Sequence, residues 1–182
     1  MRHQAQRLII ETAQFSSFSD QKEVIPAHLR IAQGSCPLFG DDTWDLEALG
    51  LAPSQKRNLA VIKFSTIPTK WQYYARHMLM VMLNPTDKLL LEARIYLNQS
   101  TPKLKTLKSL FVAFRRFAQW SEERNKPIDL EQWEVVDLEE YYAFLKGSFA
   151  PSQLYAAESL FTKLEHICQA LPSFFLFPVP DN

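Results

Sequence analysis

Glycine and cysteine are both scarce in this chain. Four glycines stand against thirteen phenylalanines and four tryptophans in 182 residues, which favours helices packed on aromatic side chains over a turn-rich β architecture. The two cysteines, Cys36 and Cys168, lie far apart and form no Cys-x-x-Cys pair, so neither a zinc site nor a disulfide framework is expected. Free cysteines of this kind are typical of a reducing, intracellular compartment.

Long apolar runs are absent as well. No stretch approaches the roughly 18 apolar residues that a membrane span needs, and the apolar run after Met1 is too short for a secretory signal. Hydrophobic residues make up 47% and charged residues 22% of the chain, as in ordinary globular proteins. The expected protein is cytoplasmic, has no membrane partner, and forms one sizeable domain or two small ones.

The sequence also lacks the motifs of common enzymes. It contains no GxxxxGK(S/T), GxGxxG, HExxH or GxSxG. The histidines are scattered singly, with no second ligand at metal spacing: His3, His28, His77 and His166. We therefore expect no catalysis within these residues, no cofactor and no metal.

Charge is distributed unevenly, although the formal net charge is zero. Residues 56–77 carry five cations and no carboxylate, and residues 101–126 carry seven cations and two carboxylates. Residues 127–148 have the opposite balance, with six carboxylates and one lysine. Overall neutrality thus conceals basic and acidic segments.

The first hundred residues divide into an N-terminal extension of uncertain fold, 1–58, and a helical arm region, 59–99. Within the extension, RLIIETAQF and EVIPAHLRI suit strands or short helices, and QGSCPLFGDDTWD is predicted to be a loop. NLAVIKF suits a short strand or an extended segment, and a helix is expected after Pro68. Asn84-Pro85 can begin a further helix with an apolar face formed by Leu89, Leu90, Ala93 and Leu97.

Residues 100–120, STPKLKTLKSLFVAFRRFAQW, predict one amphipathic helix. Ser100 or Thr101 suits the cap, and Pro102 suits the first helical position. The inward stripe recurs at spacings of three and four: Leu104, Leu107, Phe111, Phe114 and Ala118. The opposite arc carries Lys105, Lys108, Arg115 and Arg116, with Ser109 and Gln119.

Two further helices are expected. Asp137 can cap one that turns Leu138, Tyr141, Tyr142 and Leu145 inward and ends at Gly147. The last helix runs from about Ser152 to Ala170, and the proline-rich residues 173–182 form a linker or a docking tail. The predicted fold class is mainly α, a small helical bundle preceded by mixed short elements and helices.

A basic helix face has two interpretations. Its lysines and arginines can neutralise phosphates of a nucleic acid, with counterion release supplying binding free energy. Alternatively the face is solvated, and Arg115 and Arg116 pair with the acidic segment 129–140. Periodicity does not decide between these interpretations.

The order of motifs over residues 100–172 resembles the core-binding (SAM-like) domain of tyrosine recombinases, the phage integrase family. A basic helix ending F-R-R-F-A-Q-W is followed by V-V-D-L-E-E-Y-Y-A-F-L, by the loop G-S-F-A-P-S, and by a helix ending L-F-T-K-L-E-H-I-C-Q-A-L. Upstream, IKFSTIPTKWQYYARHMLMVML is similar to the extra N-terminal segments of large transposon-type recombinases. The resemblance implies a small helical bundle that forms half of a clamp around duplex DNA.

In such domains the first and last helices approach the DNA. The residues carried over by position are Thr101, Lys103, Lys105, Lys108 and Arg116 on the first helix, and Ser152, Gln153, Tyr155, Ser159 and Lys163 on the last. Where the family often has Asn or Arg near the start of the last helix, this chain has Tyr155 and Ala156. The family's nucleophilic tyrosine and Arg/His/Arg cluster lie in a second domain, with no counterpart here. The chain is then either a recombinase fragment or a stand-alone relative that binds DNA without cleaving it.

A helical protein-protein interaction domain is the alternative function. The tail supports it with Phe174, Phe175 and Phe177, which can dock on a partner or on the chain's own core. Under the recombinase hypothesis, the same tail allows self-association on DNA.

Overall fold

The computed structural model describes residues 19–31, 35–83, 103–128 and 132–170, with side chains as far as Glu165. The mainly helical prediction is confirmed. Helices dominate this part of the chain: α1 (Thr69–Leu83), α2 (Leu104–Glu123), α3 (Val135–Ser148) and α4 (Pro151–Ala170). None of them is long and apolar enough to cross a membrane.

A two-stranded antiparallel sheet precedes the helices. Strand β1 (Thr43–Asp45) pairs with β2 (Val61–Lys63), and Trp44 lies opposite Ile62 with both side chains buried. The strand expected within NLAVIKF is thus confirmed. The loop predicted for QGSCPLFGDDTWD is wrong at its end, because TWD forms β1. Burial of the Trp44 side chain outweighs the turn propensity of the glycines, proline and aspartates before it.

The rest of the described N-terminal region is built from short turns. Within EVIPAHLRI, Ala27–Leu29 forms a single turn of 3-10 helix, and Glu23 makes an isolated bridge to Leu38. Further 3-10 turns are Glu47–Leu49, Arg57–Leu59 and Phe64–Thr66. RLIIETAQF lies outside the described residues.

The four helices meet around one aromatic side chain, Phe117 of α2, which is fully buried. Its ring centroid lies 5.5 Å from that of Trp71 on α1 and 5.3 Å from that of Tyr141 on α3. Phe161 of α4 is 5.2 Å away, and so is Trp133. Helices α1, α3 and α4 therefore share a single core with α2. Phe64, which directly follows β2, joins this core by contacting Phe111.

Two predicted helix starts need correction. Helix α2 begins at Leu104 with Lys103 in the N-cap position and no side-chain cap, so Pro102 is not its first residue; Ser100 and Thr101 lie outside the described residues. Asp137 is not the N-cap of α3. Glu134 holds that position, and Asp137 completes a reciprocal capping box from the third helical residue.

Of the other predicted helices, two are confirmed and one lies outside the described residues. The helix after Pro68 is α1, and the last predicted helix is α4, which starts one residue earlier than expected. The helix proposed after Asn84-Pro85 and the tail at 173–182 lie outside the described residues.

Candidate nucleic-acid interface

Helix α2 has the two faces that its periodicity predicts. All five residues of the inward stripe are buried: Leu104, Leu107, Phe111, Phe114 and Ala118. On the opposite arc Lys105, Ser109 and Gln119 are exposed, whereas Lys108, Arg115 and Arg116 are half-buried. The cationic arc therefore contains both solvated and packed side chains, which have different capacities to meet an anion.

Lys103 and Lys105 are the solvated cations at the start of α2. Both side chains are exposed. Neither forms an ion pair with a carboxylate in the described part of the chain. The ion pairs found there use other cations, such as Arg57, Lys70 and Lys126. Exposed ammonium groups without a carboxylate partner are suited to contact phosphates.

Lys108 is committed to the fold. Its ammonium donates a hydrogen bond to the Val61 carbonyl of β2, which ties α2 to the sheet. Burial lowers the pKa of this lysine, and the positive charges of Arg115 and Lys63 lower it further. In this arrangement the Lys108 charge stabilises a partly buried backbone carbonyl and is partly withdrawn from solvent.

Arg116 connects the two helices on which the predicted site lies. Its Nη1 donates a hydrogen bond to Oε1 of Gln153 on α4, at 2.8 Å. Its guanidinium also lies over the ring of Phe149, 4.3 Å from the centroid, which is cation–π distance. Helices α2 and α4 form the most extensive helix pairing in the described chain. The structure thus brings Arg116 and Gln153 together.

The remaining predicted residues of α4 lie mostly in solvent. Ser152 and Ser159 are exposed, Tyr155 is 71% exposed, and Lys163 is half-buried. No hydrogen bond of the Ser152 or Tyr155 side chain to a described residue is found, so both are available to a ligand. Thr101, the first predicted residue on α2, lies outside the described residues.

A groove beside Arg116 was not predicted from the sequence. It has a volume of about 280 Å³ and opens between α2 and the end of α3. Its lining includes Val112, Arg115, Arg116, Glu123, Phe144 and Phe149. The alternation of charged and apolar residues on α2 was visible in the sequence, but the aromatic wall depends on how α3 packs.

The acidic segment does not neutralise the arginines of α2 within the described residues. Its carboxylates at Asp137 and Glu140 pair instead with Lys126. Although burial opposes it, the bond from Lys126 and the Glu134 backbone N–H leave the pKa of Asp137 below its usual value. Glu122 pairs with Lys70 of α1 at 2.8 Å. Arg115 and Arg116 remain without an ion-pair partner in this part of the chain.

The tyrosines near the groove are structural. Tyr141 is fully buried, and burial raises its pKa well above the usual value for a phenol. Burial likewise raises the pKa of half-buried Tyr142 to about 12. Among the described residues no three His, Cys, Asp or Glu side chains gather where they could hold a metal ion. The side-chain donors of the site are those of Lys103, Lys105 and Arg116, which are chemically suited to contact anions.

Comparison with known proteins finds no relative. No family model, no curated protein and no solved structure matches this chain.

Proposed function

We propose that this chain is a double-stranded DNA-binding module of a site-specific tyrosine recombinase, or integrase. In this proposal it clamps the recombination site while a separate domain carries out strand cleavage. The motif order over residues 100–172 supports the family, and the unpaired cations of α2 support the partner.

The observation that carries the proposal is the contact between Arg116 and Gln153. It holds α2 and the start of α4 together, so that Lys105 and Ser152 belong to adjoining elements. Binding to a DNA duplex needs such an arrangement, because side chains at a fixed separation must contact phosphates on both sides of a DNA groove. Lys103 and Lys105 then contact phosphates, and Ser152 and Tyr155 lie where they can reach sugars or base edges.

Lys108 has a supporting role in this proposal. Its bond to Val61 fixes the orientation of α2 against β2. A phosphate contact by Lys108 would require that bond to break. We therefore assign the phosphate contacts to Lys103, Lys105, Arg116 and Lys163.

The test compares two lysines by fluorescence anisotropy on labelled duplexes of unrelated sequence. Lys105→Ala should weaken binding about fivefold, or roughly 1 kcal/mol, on every duplex, because a phosphate contact carries no sequence information. Lys146→Ala is the matched control, since Lys146 is exposed on α3 and lies outside the proposed interface. Equal effects of the two substitutions would contradict the assignment of the DNA face.

If a separate domain carries out cleavage, this chain alone should not react covalently with DNA. The chain should bind a nicked duplex without forming a covalent protein–DNA adduct, because in this proposal the nucleophilic tyrosine and the Arg/His/Arg cluster that activates the phosphate lie in the separate domain. Denaturing electrophoresis of the mixture detects such an adduct directly. Its appearance would place a nucleophile within this chain and contradict this part of the proposal.

A further inference from the structure

The groove beside Arg116 has a positive end and a negative end. Arg115 and Arg116 line it on one turn of α2, and Glu123 lines it two turns later. Arg115 and Glu123 are eight positions apart, a rise of about 12 Å along an α-helix. None of the three forms an ion pair with another described residue, so both charges of the groove are open to a ligand.

Between these ends the lining is apolar. Val112 and Trp120 come from α2, and Phe144 and Phe149 from the end of α3 and the loop after it. Phe149 is 37% exposed, so its ring can contribute apolar surface to a ligand in the groove. Aromatic side chains are enriched at the centre of protein–protein interfaces, where polar residues form the rim, and the groove has this arrangement.

The positive end is arranged before any ligand arrives. The Arg116 guanidinium is held by Gln153 at 2.8 Å and lies on the Phe149 ring at 4.3 Å. These contacts restrict its rotamers, so that less conformational entropy is lost on binding. A guanidinium presents five donors, and the described residues accept only the one bond from Nη1, which leaves the others for a carboxylate.

We propose that this groove binds a short extended segment of a partner protein in which an acidic, a large apolar and a basic side chain alternate with other residues. Side chains at positions 1, 3 and 5 of an extended chain lie on one face and span about 13 Å, which matches the separation of Arg115 and Glu123. The acid meets the two arginines, the apolar side chain meets Phe149, and the base meets Glu123.

The charge pattern decides against a nucleic acid as the occupant. A polyanion that follows the groove would place a phosphate near Glu123, which repels it. A zwitterionic segment has an opposite charge for each end. The volume of about 280 Å³ lies at the small end of ligand pockets and suits one large side chain with its neighbours. The inference shares Arg116 with the proposed DNA contact, but Arg115, Phe149 and Glu123 belong to the groove alone, so it does not depend on DNA binding.

The probe is the acetylated, amidated pentapeptide Glu-Ser-Phe-Ser-Lys. Trp120 lines the groove, so binding should change the tryptophan fluorescence of the full chain. We expect a Kd of about 1 mM or lower, because so short a peptide makes few contacts. Lys-Ser-Phe-Ser-Lys, which lacks the acid, and Glu-Ser-Ser-Ser-Lys, which lacks the apolar anchor, should each bind at least about tenfold more weakly.

Two charge reversals separate this proposal from the proposed function. Arg115→Glu should abolish the response to Glu-Ser-Phe-Ser-Lys, while circular dichroism shows that the helices are retained. Lys105→Glu, on the same helix but outside the groove, should leave the peptide response unchanged and weaken duplex DNA binding. A full peptide response in Arg115→Glu would contradict the groove assignment alone, and undiminished duplex binding by Lys105→Glu would contradict the DNA face alone.

Three outcomes would overturn the inference. The first is no binding by the parent peptide at several times the expected Kd. The second is equal binding by the three peptides, which would leave the charges of the groove without a role. The third is tighter binding after Phe174, Phe175 and Phe177 are all replaced by serine. That result would identify the chain's own residues 171–182 as the occupant in place of a partner.

Discussion

Arg116 shows how one residue serves packing and recognition together. Periodicity placed it on the cationic arc of α2, and there it stands half-buried between Gln153 and Phe149. The sequence predicts its side of the helix, because that depends on spacing alone. It does not predict Phe149 as its neighbour, because that contact depends on the turn between α3 and α4. The groove was missed for the same reason.

His77 gives a prediction at the residue scale. Its ring is 4% exposed and lies 5.1 Å from the ring of Phe39, and burial lowers its pKa to about 3. The unfolded chain takes up a proton near pH 6.5, and the native histidine does not until about pH 3. Stability should therefore fall as pH drops below 6.5, by about 1.4 kcal/mol between pH 7.5 and 5.5.

The measurement is urea unfolding at the two pH values. His77→Gln should lose this part of the pH dependence, because glutamine does not titrate. His28→Gln is the control, since His28 is exposed and should retain the parent's loss. An unchanged pH dependence in the His77 variant would show that its protonation is not linked to folding.

At the scale of elements, the elements set by local sequence patterns were predicted, and those set by distant contacts were not. The apolar stripe of α2 and the start of α4 are local patterns, and both are confirmed. The cap of α3 was misplaced by one turn, because Glu134 and Asp137 both precede apolar residues and either can accept backbone N–H bonds. Strand β1 was not predicted from the sequence, because its pairing partner β2 lies about twenty residues later in the chain.

The joint between α2 and α4 is testable as a pair. Arg116→Ala and Gln153→Ala should each destabilise the protein, and their double-mutant cycle should show a coupling of about 1 kcal/mol, since the bond involves a charged donor at a partly exposed site. Thermal or urea unfolding of the four proteins provides the values. Additive effects would mean that the bond contributes nothing to holding the helices together.

At the scale of the whole molecule, the fold depends on one shared core. Phe117 contacts aromatic rings from α1, α3 and α4, so its removal should destabilise all four helices together. Phe117→Ala should lower the free energy of unfolding by about 3–5 kcal/mol and do so in a single cooperative transition. Tyr155→Ala, at a side chain 71% exposed, should change it by less than about 0.5 kcal/mol.

The pairing of charges across the molecule explains how a neutral chain has a cationic surface. The carboxylates at Asp137 and Glu140 are occupied by Lys126, and Asp45 and Glu47 by Arg57. The cations at the start of α2 have no such partners among the described residues. A chain of zero net charge can therefore present a local cationic surface, which the overall composition conceals.

The most direct test of this account is the salt dependence of duplex binding. With phosphate contacts by Lys103, Lys105, Arg116 and Lys163, the logarithm of the association constant should fall with the logarithm of salt concentration at a slope of about −3 to −4. Fluorescence anisotropy between 50 and 200 mM salt would then show an affinity loss of roughly a hundredfold. A slope near zero, or no binding at the lowest salt, would contradict the DNA-binding function.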